Sequence, residues 1–398
     1  MKLQGCCQPD FEVVKNAFES NFDQGLEIGA SACVTLQGRP VVDLWAGDAA
    51  VGGPAWQEDT IVTVYSATKT MSAMVILVLA DRGLIDLQAP VASYWPEVAQ
   101  NGKADLLVAD VMNHCAGLPA FDPQLSRLED LYDWDFCVQN LAAQKPWWQP
   151  GIQSGYHAFT QGYIQGEIVR RITGSSIGEF FRNEIANPLG ADFHIGLPAE
   201  HAERVGSLVR PEGTRDGAED ALQELMMSLT EEHQNMIMRM MGPELTTHSV
   251  DVLKTPAWQG AEIPSVNGCG NARSIARVHS ALACGGTVDG VSILSSEGVE
   301  RVFQSQSRGF DLFALANCVW GMGFVVNDFD VDAKPATHGA PIGPNRRAFY
   351  GAGSGGSLAL IDLDAQVSIA YVPNRLDGNR ELEMQRGCAI AEAVYQCL

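Results

Sequence analysis

Ser66 and Lys69 are the residues in this chain whose types and spacing most directly suggest chemistry. They open the stretch Val64-Tyr65-Ser66-Ala67-Thr68-Lys69-Thr70, which leads into the apolar run Met71 to Ala80. That run reads as a buried helix ended by a glycine cap at Gly83. Residues three apart share one helix face, so Lys69 stands beside the Ser66 hydroxyl at the positive end of the helix dipole. An ammonium desolvated there gives up its proton more easily, and a neutral amine beside a hydroxyl is a base beside a nucleophile. The competing reading makes Ser66 a helix cap and Lys69 a solvated first-turn lysine. A four-residue pattern is short enough to arise by chance, so the rest of the chain has to decide.

A hydrolase of this kind also needs a proton carrier and donors for an oxyanion. Tyr156 lies in Gln153-Ser154-Gly155-Tyr156-His157-Ala158, just after the loop Trp147-Trp148-Gln149-Pro150-Gly151. Near Lys69 it can share the proton. The alternatives are a tyrosine filling an aromatic cluster with Trp147 and Trp148, and His157 as a rival base. A third element, Phe349-Tyr350-Gly351-Ala352-Gly353-Ser354-Gly355-Gly356-Ser357, precedes an apolar strand. Glycines there admit a substrate to the strand edge. A peptide N–H of Gly353 or Ser354, with that of Ser66, can form an oxyanion hole. A phosphate loop is disfavoured by the acidic chain and by the lack of a following helix with lysine. Gly174-Ser175-Ser176-Ile177-Gly178 matches a nucleophile elbow, but that motif needs a preceding strand. Here the preceding residues read as a helix, and Ser176 with Glu179 reads as a capping box.

The elements that must position these residues follow from pattern. Residues 11–22 have helical periodicity, and 29–36 and 40–45 read as strands joined by a tight turn at Gln37-Gly38-Arg39. From 67 to 286 the pattern is mainly helical, including a methionine-rich helix over 218–241, and the loop over 208–264 is expected to shape the pocket. Strands return at 319–327, 356–362 and 367–372, and a helix over 380–397 closes the chain. The expected fold is α/β (α+β): an antiparallel sheet built from both ends of the chain, flanked by N- and C-terminal helices, with an all-helical domain inserted. The expected boundaries are 1–65 plus 287–398 for the α/β sandwich and 66–286 for the helical domain, with the active site between them.

Composition narrows the partners. The 398 residues suffice for two lobes, and a net charge of −22 excludes the basic patches that nucleic acid or an anionic membrane requires. No apolar run reaches the roughly 20 residues that span a bilayer. The ten cysteines form no CxxC, and no export signal is visible, so reduced thiols and a cytoplasmic location are expected; Cys6-Cys7 reads as a mobile N-terminal segment. No HExxH or HxH pattern indicates a metal, and no cofactor is expected.

In this order and spacing the three elements resemble the serine β-lactamase and penicillin-binding-protein superfamily, nearest to class C β-lactamases and family VIII carboxylesterases. Further segments share the resemblance: Gly83 to Val91, Asn113-His114-Cys115-Ala116-Gly117-Leu118-Pro119, Gly166 to Gly174 and Asn267 to Arg273. The resemblance implies that Ser66 is acylated, Lys69 is its base and Tyr156 relays the proton. It also exposes two departures. The family's third element carries Lys, His or Trp. Here Tyr350-Gly351-Ala352 is taken as the matching triplet, with Gly351-Ala352-Gly353 as the register shifted by one. In either register the lysine is absent. Ala158 stands where asparagine would follow Tyr156 by two. Both changes remove recognition of an anionic amide and favour a small, neutral carboxylic ester. The expected activity is a serine carboxylesterase. A β-lactam hydrolase or acyltransferase is the alternative within enzymes, and a non-catalytic scaffold is the alternative outside them.

Overall fold

The structure, a computed structural model, describes residues 2–211, 227, 229–241, 250–304, 307–330, 332 and 339–398. Its main sheet has nine strands: β1 (Gln4–Cys7), β2 (Gly29–Leu36), β3 (Arg39–Gly47), β4 (Ser307–Asp311), β5 (Ala316–Trp320), β6 (Val325–Val326), β7 (Ala348–Gly353), β8 (Ser357–Asp362) and β9 (Val367–Pro373). The spatial order is β1-β3-β2-β9-β8-β7-β6-β5-β4, and every pairing is antiparallel. Strands β2 and β3 meet through Gln37 (φ 52°) and Gly38 (φ 78°). Positive φ at both positions is the two-residue turn whose twist suits a hairpin.

Helices α1 (Glu12–Asp23) and α9 (Arg380–Tyr395) cover one sheet face. Ala30, Ala32, Val34, Leu358, Leu360, Ile369 and Tyr371 point to that face. Cys33, Ala359, Ile361, Ala370 and Val372 point to the other, under α8 (Ala272–Ala283). Both faces are covered, so these strands read as continuous apolar runs with little alternation. The expectation of a sheet made from both ends of the chain and flanked by the terminal helices matches this architecture. The boundary at 286 does not, because α8 packs on β2, β8 and β9 and so lies with the sheet. Its apolar face is satisfied by strands, a partner that periodicity alone does not name.

Helix α2 (Thr68–Asp81) runs between the sheet and the helices, and every residue from Thr68 to Ala80 is buried. It is apolar on all sides, as a helix enclosed in a core must be. Gly83 (φ 72°) ends it, with Leu84 N–H donating to Leu79 O (2.9 Å) and Gly83 N–H to Ala80 O (3.1 Å). Around it stand α3 (Val108–Met112), α4 (Trp134–Ala143), α5 (Thr160–Thr173) and α6 (Ile177–Phe181). Ser176 accepts the Glu179 N–H (3.1 Å) and donates to Glu262 (2.5 Å), so it caps α6 and is no nucleophile. Of the methionine-rich helix expected over 218–241, α7 (Glu231–Met241) is seen; 218–226 and 228 lie outside the described residues. The expected mobile segment at Cys6-Cys7 is instead β1, paired with β3. Edge pairing, invisible in so short a sequence, orders it. Among the described residues no helix is long and apolar enough to cross a membrane.

Arg386 fastens α9 to this frame. Its fully buried guanidinium pairs with Glu27 (3.2 Å) and Asp377 (3.2 Å) and donates to Leu26 O (2.8 Å) and to Gly355 O (2.7 Å) in the turn after β7. Burial pushes the Glu27 carboxyl up to about 7 against the pull of Arg386. Removing one member of a buried pair leaves the other charge uncompensated. Arg386→Met is therefore expected to destabilise the protein by about 3–5 kcal/mol in chemical denaturation.

Candidate active site

Ser66 sits in a single 3-10 turn, Tyr65–Ala67, at the mouth of α2. Tyr65 takes a left-handed φ of 47°, uncommon for a residue with a side chain, and so turns the chain sharply just before Ser66. Ser66 itself is half-buried and open to a substrate.

Lys69 is buried one turn further on, and three oxygens surround its Nζ. The carbonyls of Ala158 (2.8 Å) and Ser265 (3.0 Å) accept from it, and Ser66 Oγ lies 3.4 Å away. No carboxylate pairs with it among the described residues. Two effects oppose each other. The Tyr156 ring, 4.7 Å from Nζ, favours the cation by about 2 kcal/mol. Stripping water from an ammonium costs several kcal/mol, and two neutral carbonyls repay only part of it. Desolvation wins and holds the amine well below the ordinary lysine range. A neutral amine has two N–H bonds and one lone pair. In a neutral amine the two carbonyls would take the N–H bonds and leave the lone pair for Ser66 Oγ, as a general base requires.

Tyr156 lies over Lys69, with its ring 4.7 Å from Nζ, and its phenol is close enough to Ser66 for the serine to pull its pKa down. Burial drives the phenol well above its ordinary range, Asp311 adds to that push, and Arg380 at the start of α9 opposes it. Tyr156 is therefore a phenol that can pass a proton on. Its ring does not join Trp147 and Trp148. It stacks on Trp320 (5.7 Å, 21°) beside His114 (4.8 Å). His157, the rival base, is held away from the chemistry. Its Nδ1 meets Gly155 O at 2.6 Å, its Nε2 accepts from Leu118 N–H at 3.0 Å, and burial lowers its pKa to about 3.

The third element is β7, and strand alternation decides its register. Tyr350 and Ala352 point to the face covered by α1 and α9. The Tyr350 hydroxyl accepts from Gly339 N–H (2.9 Å) and donates to Ala340 O (3.0 Å) there. Gly351 and Gly353 face α2 and Ser66. A Cβ on Gly351 would stand 2.2 Å from Thr70 Cγ2; one on Gly353 would stand 2.2 Å from Val64 O and 3.0 Å from Ser66 N. A two-residue period sends the first residue of the expected Tyr350-Gly351-Ala352 triplet through the sheet, whereas Gly351-Ala352-Gly353, the register shifted by one, puts its first and third residues toward α2 and Ser66. Tyr350 and Ala352 are buried on the face covered by α1 and α9. Gly353 brings its backbone against the Ser66 amide at the positive end of α2, where an oxyanion is favoured.

Two carbonyls that hold Lys69, together with the Trp320 and His114 rings, were missed by sequence reasoning. Backbone carbonyls carry no residue signal. His114 alone had one, lying in the Asn113 to Pro119 segment.

Known proteins resemble this chain along nearly its whole length. A family model described as Beta-lactamase matches residues 18–389. The "Esterase/beta-lactamase LipL" of Mycobacterium tuberculosis is 36% identical over 383 residues, covering 94% of this chain and 83% of that protein. A structure of a family VIII carboxylesterase is 37% identical with a TM-score of 0.87, and 100% of each chain is covered. A penicillin-binding protein homolog from Caulobacter crescentus is 33% identical with a TM-score of 0.86, again over 100% of each chain.

Two outcomes test the site. Acylation of Ser66 should rise with pH along a limb well below the ordinary lysine range and then level off, and Lys69→Met should lose about 10³-fold in kcat/KM. The unfolded chain holds the Lys69 proton more tightly than the fold does, so this group makes stability rise with pH up to the ordinary lysine range. Lys69→Met should flatten that slope in denaturant titrations across pH. Gly353→Ala should cost about 100-fold in kcat/KM with unchanged circular dichroism, because its methyl would collide with Val64 O beside the oxyanion donors.

Proposed function

We propose that this chain, which belongs to the beta-lactamase family, is a serine carboxylesterase that cleaves small neutral esters through an acyl-Ser66 intermediate. The observation that carries the proposal is the buried Lys69 amine, held by two carbonyls with its Nζ 3.4 Å from Ser66 Oγ. Ser66 Oγ attacks the ester carbonyl and its proton passes to Lys69 Nζ. The Ser66 amide and a peptide N–H of Gly353 or Ser354 stabilise the oxyanion. Tyr156 delivers its proton to the departing alkoxide as the ester C–O bond breaks, and the proton held by Lys69 restores the phenol, leaving the amine neutral. Water then attacks the acyl-enzyme by the reverse proton path, releases the acid and restores Ser66.

The preference for a neutral ester rests on β7. Gly351 faces the site without a side chain, and the Thr70 methyl fills the space a side chain would need. No cation projects from that position toward a substrate carboxylate. A second reading is β-lactam hydrolysis, for which Arg380, at the start of α9, would be the cation to test against a substrate carboxylate. The relative named for both activities supports either reading.

Kinetics with p-nitrophenyl butyrate and nitrocefin separate them. The expected result is ester turnover that falls at least about 10³-fold in Ser66→Ala, with nitrocefin turnover slower by about 100-fold or more. Nitrocefin turnover that outpaces the ester and drops in Arg380→Ala would establish the second reading.

A further inference from the structure

Asp311, at the end of β4, is fully buried. Its Oδ1 accepts the N–H groups of Tyr156 (2.9 Å), Phe313 (2.9 Å) and Ala314 (2.8 Å), and its Oδ2 accepts the Trp320 indole N–H (2.9 Å). Among the described residues no cation pairs with it. A carboxylate buried without a cation is costly, and four neutral donors are its compensation. Capping the turn after β4 accounts for only two of them, Phe313 and Ala314. The other two lead to a single side chain. One is the backbone amide of Tyr156. The other is the indole whose ring stacks on the Tyr156 phenol. The segment before Tyr156 is laid along the same strand end: Leu312 N–H donates to Ser154 O (3.2 Å) and the Gln153 amide to Phe310 O (2.8 Å).

Building on the Ser66–Lys69–Tyr156 reading, we propose that Asp311 is the positioning residue of the Tyr156 relay. From the sheet edge it fixes both the backbone and the ring plane of Tyr156, so the ring stays over Lys69 beside Ser66. Its negative charge also disfavours the phenolate and keeps the proton on the group that must donate it. Around the phenol stand Lys69 under the ring, His114 beside it, and Arg380 and Asp311 as the charges acting on it.

Asp311→Asn keeps the shape and the Oδ1 acceptor. It removes the charge and turns an amide NH₂ toward the Trp320 indole N–H, a donor facing a donor. Two readouts are followed: the rate at which a fluorophosphonate probe labels Ser66, read by intact mass, and p-nitrophenyl butyrate kinetics across pH. In Asp311→Asn the labelling rate and kcat should fall about 30-fold with KM within about 3-fold, and the alkaline limb should move to lower pH. Trp320→Phe removes only the indole donor and should cost about 5-fold. In the double variant the donor–donor conflict is gone, and labelling should recover at least about 3-fold over Asp311→Asn. An unchanged labelling rate and alkaline limb in folded Asp311→Asn would overturn the proposal. If that variant does not fold, an unchanged labelling rate in Trp320→Phe overturns it. Labelled wild-type Ser66 without ester turnover counts against the esterase reading alone, and the labelling comparison still decides Asp311. A wild-type Ser66 that the probe never labels overturns both.

Discussion

A primary amine enclosed without a carboxylate is the constraint on which the site depends. Lys69 is carried into the core by α2, a helix with no solvent-facing side. Among the described residues the carbonyls of Ala158 and Ser265 receive it, beside Ser66 Oγ, and no carboxylate does. An ammonium there would have lost its water without gaining a counterion, so the neutral form is the one the fold favours. Had a carboxylate stood in place of either carbonyl, the same lysine would be a buried salt bridge and no base. The two carbonyls come from segments far apart in the chain, so the base exists only when the loop after Tyr156 and the segment before Cys269 are both docked on α2.

The proton carrier depends on the same docking from the other side. Tyr156 belongs to the loop that supplies the Ala158 carbonyl, and that loop is laid along the end of β4. The aromatic pair it joins, Trp320 and His114, comes from β5 and from the turn after α3. His114 takes a left-handed φ of 63°, its carbonyl accepts the Gly155 N–H and its Nδ1 accepts the His157 N–H. The residues on either side of Tyr156 are thus tied down. The site lies where sheet, α2 and helical segments meet, and no one of them holds it alone.

Close approach explains the glycines of β7. Gly351 meets the Thr70 methyl and Gly353 meets the Val64 carbonyl, so the strand lies against the start of α2 with no room for a Cβ at either position. The turn that follows is held by Arg386 and Glu383 of α9, which donate to Gly355 O and accept from Gly355 N–H. The C-terminal helix therefore braces the strand edge that faces Ser66. The same close packing leaves no room for a side chain at Gly351. One geometric fact serves both the oxyanion donors and the substrate preference assigned here.

Much of this was legible in the sequence because it is local. Ser66 and Lys69 share a face by helical spacing, the all-apolar run after them requires enclosure, and Gly83 marks its end. The Gln37-Gly38 turn and the Ser176 cap are likewise set by neighbouring residues, which is why both match expectation. Other features depend on what a segment packs against. Tyr350 looked like an aromatic replacing an aromatic until strand pairing sent it to the opposite face. The helix over 272–283 has the periodicity of any amphipathic helix, and only contact assigns it to the sheet. Asp311 and Trp320 have no motif at all. By itself the sequence placed Ser66 and Lys69 on one helix face and offered Tyr156 as a candidate to join them, since covalent order and helical period carry that information. Tertiary structure alone decided that burial lowers the lysine's hold on its proton, that the tyrosine ring lies over that lysine and that the third element faces α2 with glycine. Each of those depends on desolvation and on partners distant in the chain.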